Sequence, residues 1–221
     1  MRFTFLVILL FAAASVFAQE RYVRPVDEAS QDASFLAFRT TLVAAAERRD
    51  SKFILSILDP RIELSFGGHR GVKDFNELWE IEKPNSKFWG EFLPVIKNGG
   101  TFGRRNGKRT NLFFAPYTFT SFPNDLDGYE YSAIFGRNVN LRESPESNGR
   151  VIEMLSYNVV QVEEPVPQEA NAGEAEWYKV RTLGGNRGYV KAEYVRSPFG
   201  YRAGFEKKRG KWKMTVFIAG D

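Results

Sequence analysis

The sequence predicts an α+β domain joined to an all-β small barrel, with a C-terminal β-hairpin that packs back on the α+β domain. Three observations carry this expectation. Apolar residues recur at three- and four-residue steps through most of residues 34–96. Beyond Asn124-Asp125-Leu126-Asp127-Gly128 the chain reads as short apolar strands separated by polar turns. Over residues 201–218 apolar and polar residues alternate on both arms of a tight turn, and a lone hairpin is marginal in water unless it docks.

In chain order, residues 1–18 read as a cleavable leader. Arg2 supplies positive charge, residues 3–11 are apolar apart from Thr4, and Val16-Phe17-Ala18 suits a signal peptidase cutting after Ala18. A membrane anchor needs ~20 apolar residues, and this run gives out into Ser15 and Gln19-Glu20. The chain is therefore expected to be periplasmic or secreted, with no membrane span after signal cleavage. Residues 19–33, polar and interrupted by Pro25, form a lead-in segment.

The α+β domain is expected over residues 34–130. Phe35, Phe38, Leu42 and Ala45 or Ala46 mark a helix capped by Asp32 or Ser34. Asp50 or Ser51 opens a second helix carrying Phe53, Ile54, Ile57 and Leu58, which Asp59-Pro60 stops. Ile62-Glu63-Leu64-Ser65-Phe66 alternates as a half-buried strand. Val72, Phe75, Leu78 and Trp79 mark a helix, Pro84 interrupts, and Phe88, Trp89, Phe92, Val95 and Ile96 mark another. Leu112 to Phe119 reads as a strand in which Pro116 signals an edge or bulge. Residues 198–221 hold the final hairpin, Tyr201, Ala203 and Phe205 facing Trp212, Met214, Val216 and Ile218. It is expected to complete the 34–130 sheet and so make the barrel an insertion.

Residues 136–197 carry the barrel. Val139 and Leu141 share one side of a strand, with Asn140 and Arg142 on the other, followed by Glu143-Ser144-Pro145. Val151, Ile152 and Leu155, then Val159, Val160 and Val162, continue the strand pattern. Trp177-Tyr178-Lys179-Val180, Gly188-Tyr189-Val190 and Tyr194-Val195 follow in order. The series resembles the bacterial SH3 domain, from which it departs in a long acidic loop over residues 163–176 holding Pro165 and Pro167. The resemblance implies a non-catalytic module that recognises a cell-wall (peptidoglycan) peptide or another envelope peptide. On that reading Tyr157, Trp177, Tyr189 and Tyr194 supply an aromatic platform and Asn138 and Asn140 supply polar readers. Trp177 and Tyr189 also suit the filling of a small barrel. More loosely, the element order of the flanking regions is similar to the cone-shaped NTF2-like fold. That likeness implies a small-ligand cone lined by Phe66, Trp79, Trp89 and Phe114, aromatics that equally suit a plain core.

Composition narrows the chemistry. The chain has no cysteine, so it holds no disulfide, thiol nucleophile or Cys-bound metal. His69 is the single histidine, without a Gly-x-Ser-x-Gly turn to accompany it. Glu63 with Asp74, Glu77 and Glu80 offers paired carboxylates, but the three-residue recurrence of the last three is that of a wet helix face. The net charge of +4 does not imply nucleic acid, and the basic run at residues 104–109 sits among glycines as a solvated turn. No catalytic residue, metal or cofactor is assigned. The expected protein is an exported, non-enzymatic binder of a cell-wall peptide or envelope protein. Its rivals are an NTF2-like small-ligand binder or enzyme using Glu63 or Asp74 as acid or base, and a structural partner in an envelope assembly.

Overall fold

Helix α1 (Ala33–Glu47) starts at Asp32, whose carboxylate accepts hydrogen bonds from the Ser34 and Phe35 N–H groups, donors that a first turn leaves open. Asp50 does the same for the Phe53 N–H at the head of α2 (Ser51–Ile57). The computed structural model in which these contacts are seen describes residues 19–168 and 171–220. The leader expected at residues 1–18, with its cut after Ala18, lies outside the described residues. Strand β1 (Leu58–Glu63) starts and ends earlier than the alternation at 62–66 predicts, and it contains Asp59-Pro60. The proline is tolerated because β1 is the outermost strand of its sheet. In helix α3 (Gly71–Trp79) only Phe75 is buried, Val72 and Trp79 are half-buried and Leu78 is exposed, whereas α4 (Phe88–Lys97) buries its expected stripe, Phe88, Trp89, Phe92, Val95 and Ile96.

Strands β2 (Thr101–Arg105) and β3 (Lys108–Ala115) join through Asn106-Gly107, whose φ of 51° and 75° suit a two-residue hairpin turn. The strand predicted through Phe119 stops at Ala115. Pro116 has no N–H for the ladder, and Tyr117–Thr120 coil instead into α5, with the Phe119 and Thr120 N–H groups bonded to the Pro116 carbonyl.

The next seven strands form one sheet. They are β4 (Tyr131–Ile134), β5 (Val139–Arg142), β6 (Val151–Leu155), β7 (Val159–Gln168), β8 (Asn171–Thr182), β9 (Arg187–Lys191) and β10 (Val195–Arg196), in the spatial order β10-β4-β7-β8-β9-β5-β6. β4 pairs with β7 and β10 although it precedes residue 136. The core of this sheet is aliphatic: Ile134, Val139, Leu141, Leu155, Val160, Val180 and Val190. Neither Trp177 nor Tyr189 belongs to it. The acidic stretch 163–176, expected as a loop, extends β7 and β8 over its described residues 163–168 and 171–176, with Glu164 opposite Lys179 and Val166 opposite Trp177. Two of its carboxylates find cations on β8 and β9: Glu164 meets Lys179 at 3.3 Å and Glu163 meets Arg187 at 3.0 Å. Register shifts around 162–168 accommodate the two prolines.

Strands β11 (Arg202–Lys208) and β12 (Lys211–Ile218) enter the first sheet, whose order is β1-β12-β11-β3-β2, with β12 parallel to β1 and β11 antiparallel to β3. The chain thus leaves this sheet after β3, builds the second sheet and returns. The first core is dominated by phenylalanine: Phe35 lies 4.1 Å from Phe113 and Phe88 4.7 Å from Phe92, with Phe205 and Phe217 also buried. Each such ring contributes ~2–3 kcal/mol on burial.

The lead-in segment straps the two sheets together. Glu20 accepts from the Asn158 side chain and the Gly184 N–H, and the Val23 N–H donates to the Tyr157 carbonyl. Further on, Val26 and Glu28 bond to Gly100, and the Glu28 carboxylate accepts from the Phe102 N–H. Beneath the strap, Val23, Tyr117, Ala133 and Val159 form a small separate core.

Candidate functional site

Strands β5 and β9 turn alternate residues outward on the same side of the second sheet. Asn140 and Arg142 alternate with buried Val139 and Leu141, and Lys191 follows buried Val190. Trp177 on β8 stands directly opposite Lys191, so it shares this outer side. Arg137 and Asn138 precede β5, Ser147 lies between β5 and β6, and Glu193 and Tyr194 sit in the 3₁₀ turn Ala192–Tyr194 after β9. Together they line an open groove of about 300 Å³.

Local structure holds each group in place. Asn138 adopts φ 55°, a left-handed conformation that asparagine tolerates better than most residues, and its N–H donates to the Ser156 hydroxyl. Arg142 donates to the Gly149 carbonyl at 2.7 Å, tying the β5–β6 loop to the groove. Trp177 is only 4% exposed and forms part of the wall beneath Lys191, whose Nζ lies 5.6 Å from the ring centroid. Three cations (Arg137, Arg142, Lys191) face the single carboxylate of Glu193. Asparagine amides donate and accept at once, guanidinium groups clamp carboxylates, and Tyr194 adds exposed aromatic surface beside the buried Trp177. The groove thus carries three cations against one carboxylate, with two amides beside them.

Of the six residues expected from sequence, Asn138, Asn140, Trp177 and Tyr194 converge here. Tyr157 and Tyr189 do not line the groove. Tyr157 borders a different hollow of about 310 Å³, with Pro25, Tyr117 and Phe135 at the junction of the two sheets. Its hydroxyl accepts from Arg137 Nε at 3.1 Å, so it positions a groove cation from behind. Tyr189 is half-buried beside Lys179, directly opposite it on β8. The glutamate Glu164 and, to a lesser degree, Tyr189 hold that lysine above its ordinary pKa. Arg137, Arg142, Ser147, Lys191 and Glu193 also line the groove, although no motif in the sequence marks them as site residues. Strand alternation alone exposes Arg142 and Lys191, whereas Ser147 and Glu193 come from loops that no periodicity describes.

The α3 carboxylates and the aromatics of the rival readings have local partners. Asp74 accepts from the Arg70 N–H and lies 3.6 Å from His69, Glu77 pairs with Lys73, and Glu80 pairs with Lys83. Trp79 and Trp89 pack on Phe88 in the core, while Phe66 and Phe119 flank Arg202 and Phe114 packs on Phe119. A hollow of about 510 Å³ lies over Trp79 and Tyr201. Its Lys83 and Ser86 are spent on Glu80 and the Trp79 carbonyl. Among the described residues no cluster of His, Asp or Glu is disposed to hold a metal, and no helix is long and apolar enough to cross a membrane.

Residues 137–196 match the family model of the bacterial SH3 domain. No curated protein matches the chain. The matched stretch runs from the head of β5 to β10 and contains every residue that lines the groove. Bacterial SH3 domains are protein- or peptide-binding modules, often associated with the cell wall.

Proposed function

We propose that the bacterial SH3 domain at residues 137–196 uses this groove to bind a short anionic peptide of the cell wall, in a protein that is exported and turns nothing over. The observation that supports the reading is the convergence of Asn138, Asn140, Trp177 and Tyr194 with Arg137, Arg142 and Lys191 on one outer side of the barrel. Peptidoglycan stem peptides combine free carboxylates with closely spaced amides, which the three cations and two asparagines complement. The leader-like residues 1–18 support delivery to the compartment where such peptides are found. The remainder of the chain is then a rigid support, joined to the barrel by the strap at residues 20–28.

Sedimentation with isolated peptidoglycan tests this. The protein is expected in the pellet, and the double variant Asn140→Ala, Tyr194→Ala is expected to stay in the supernatant with its far-ultraviolet spectrum unchanged. Equal pelleting of the two would refute the groove as the site. Release of soluble wall fragments would refute the non-catalytic reading.

A further inference from the structure

The basic run at residues 104–109 is not an isolated turn in the folded protein. β3 pairs antiparallel with β11, Leu112 opposite Glu206 and Phe114 opposite Gly204. The β2–β3 turn at Asn106-Gly107 and the β11–β12 turn at Arg209-Gly210 therefore project from the same end of the first sheet. Four adjacent strands, spaced ~4.8 Å apart, end there in basic residues. Three directly opposed cross-strand pairs have like charge: Arg104 with Arg109, Arg105 with Lys108, and Lys208 with Lys211. Like charges in this position destabilise a sheet.

Part of this charge is neutralised internally. Arg104 pairs with Glu28, Arg109 with Asp32, and Lys208 with Asp59 and Glu206, while Lys207 donates to the Ser34 hydroxyl. Arg105, Lys108, Arg209 and Lys211 have no ion pair among the described residues, and all four are exposed. Of these, Arg105 and Lys108 share the outer face of the sheet with Lys211 and with Leu112 and Phe114, because they stand an even number of residues from them or directly opposite such positions. A single charged edge strand would be explained by protection against strand addition. That does not explain the second tip, because β11 and β12 are interior strands with partners on both sides.

We propose that these two hairpin tips form a cationic face that docks the protein on an anionic membrane surface. The four unpaired cations are spread across the ends of four adjacent strands, which fits a plane of phosphate headgroups better than it fits a strand-like polymer held in a channel. Each unpaired cation near such a surface strengthens binding roughly fivefold, and the attraction fades within a Debye length. The site is separate from the barrel groove and does not depend on it.

The test is co-sedimentation of the protein, purified after export, with vesicles of phosphatidylcholine holding roughly one-third phosphatidylglycerol. Binding is expected to these vesicles, to weaken at least tenfold when salt is raised from ~0.05 to ~0.5 M, and to be absent with phosphatidylcholine alone. The variant Arg105→Glu, Lys108→Glu, Arg209→Glu, Lys211→Glu is expected to lose it while unfolding at a similar temperature. If that variant fails to fold, the Lys108→Gln, Lys211→Gln pair, expected to weaken binding at least tenfold, replaces it. Equal binding to both kinds of vesicle, binding unaffected by these substitutions, or capture of soluble polyphosphate without capture of vesicles would each overturn the proposal.

Discussion

On the proposed reading, single residues in the groove divide into those that would touch a ligand and those that hold the ones that would. Lys191 and Asn140 line the groove and are of the first kind. Replacing either with alanine removes a charged or amide contact worth ~1–2 kcal/mol, and a five- to thirtyfold loss of stem-peptide affinity is expected by calorimetric titration. Tyr157 is of the second kind. Tyr157→Phe deletes only its hydroxyl contact with Arg137 and is expected to weaken binding by less than threefold, roughly 0.5 kcal/mol. Tyr117 makes a different prediction. Burial, with a smaller contribution from Tyr157, pushes its phenol from 10.0 up to about 12. A group whose folded pKa is raised keeps its full stabilising effect below the unfolded value and loses it as pH climbs through the folded one. Stability is therefore expected to fall between pH 10 and about 12. In denaturant titrations Tyr117→Phe is expected to flatten that fall by at most about 3 kcal/mol.

At the scale of elements, the strands and helices whose signals are local were legible. Asp32, Asp50 and the stripes of α1, α3 and α4 follow from spacing and capping chemistry, and the Val139/Leu141 alternation follows from the pleat. The misreadings have a common cause, in that a distant partner decided the outcome. Pro60 fits a strand because β1 is an edge, and residues 163–168 are strand because Lys179, Arg181 and Arg187 receive their carboxylates. Trp177 and Tyr189 are outside the barrel core because small aliphatic residues already fill it. The Asp59–Lys208 pair, at 2.7 Å, links β1 to β11 across β12. Burial alone would raise the Asp59 pKa, but Lys208 and the Arg61 N–H outweigh it and hold it below 3.8. Its contribution is thus present above the unfolded pKa and lost as pH falls through the lower folded value. Asp59→Asn is expected to cost ~1–2 kcal/mol near neutrality in urea unfolding, and the gap to the parent protein should close as pH falls through the lowered folded pKa of Asp59.

At the scale of the whole molecule, the strap and the small core beneath it turn two sheets into one body. Neither was visible in the sequence, because residues 19–33 have no periodicity and their partners lie more than seventy residues away. Val23→Asp would bury a charge among Tyr117, Ala133 and Val159. A single calorimetric transition in the parent protein is expected to split in two in this variant, with a loss of ~3 kcal/mol or more. The groove keeps its shape because the strap fixes Asn158, whose amide oxygen accepts from the Ser156 N–H next to the turn that meets Asn138. The central claim remains that this groove receives a wall peptide. The most direct measurement is amide chemical-shift mapping while a soluble peptidoglycan stem peptide is titrated in. Shifts confined to Arg137, Asn138, Asn140, Ser147, Trp177, Lys191 and Tyr194 are predicted. Shifts clustered instead around Trp79 and Tyr201, or none at saturating peptide, would contradict it.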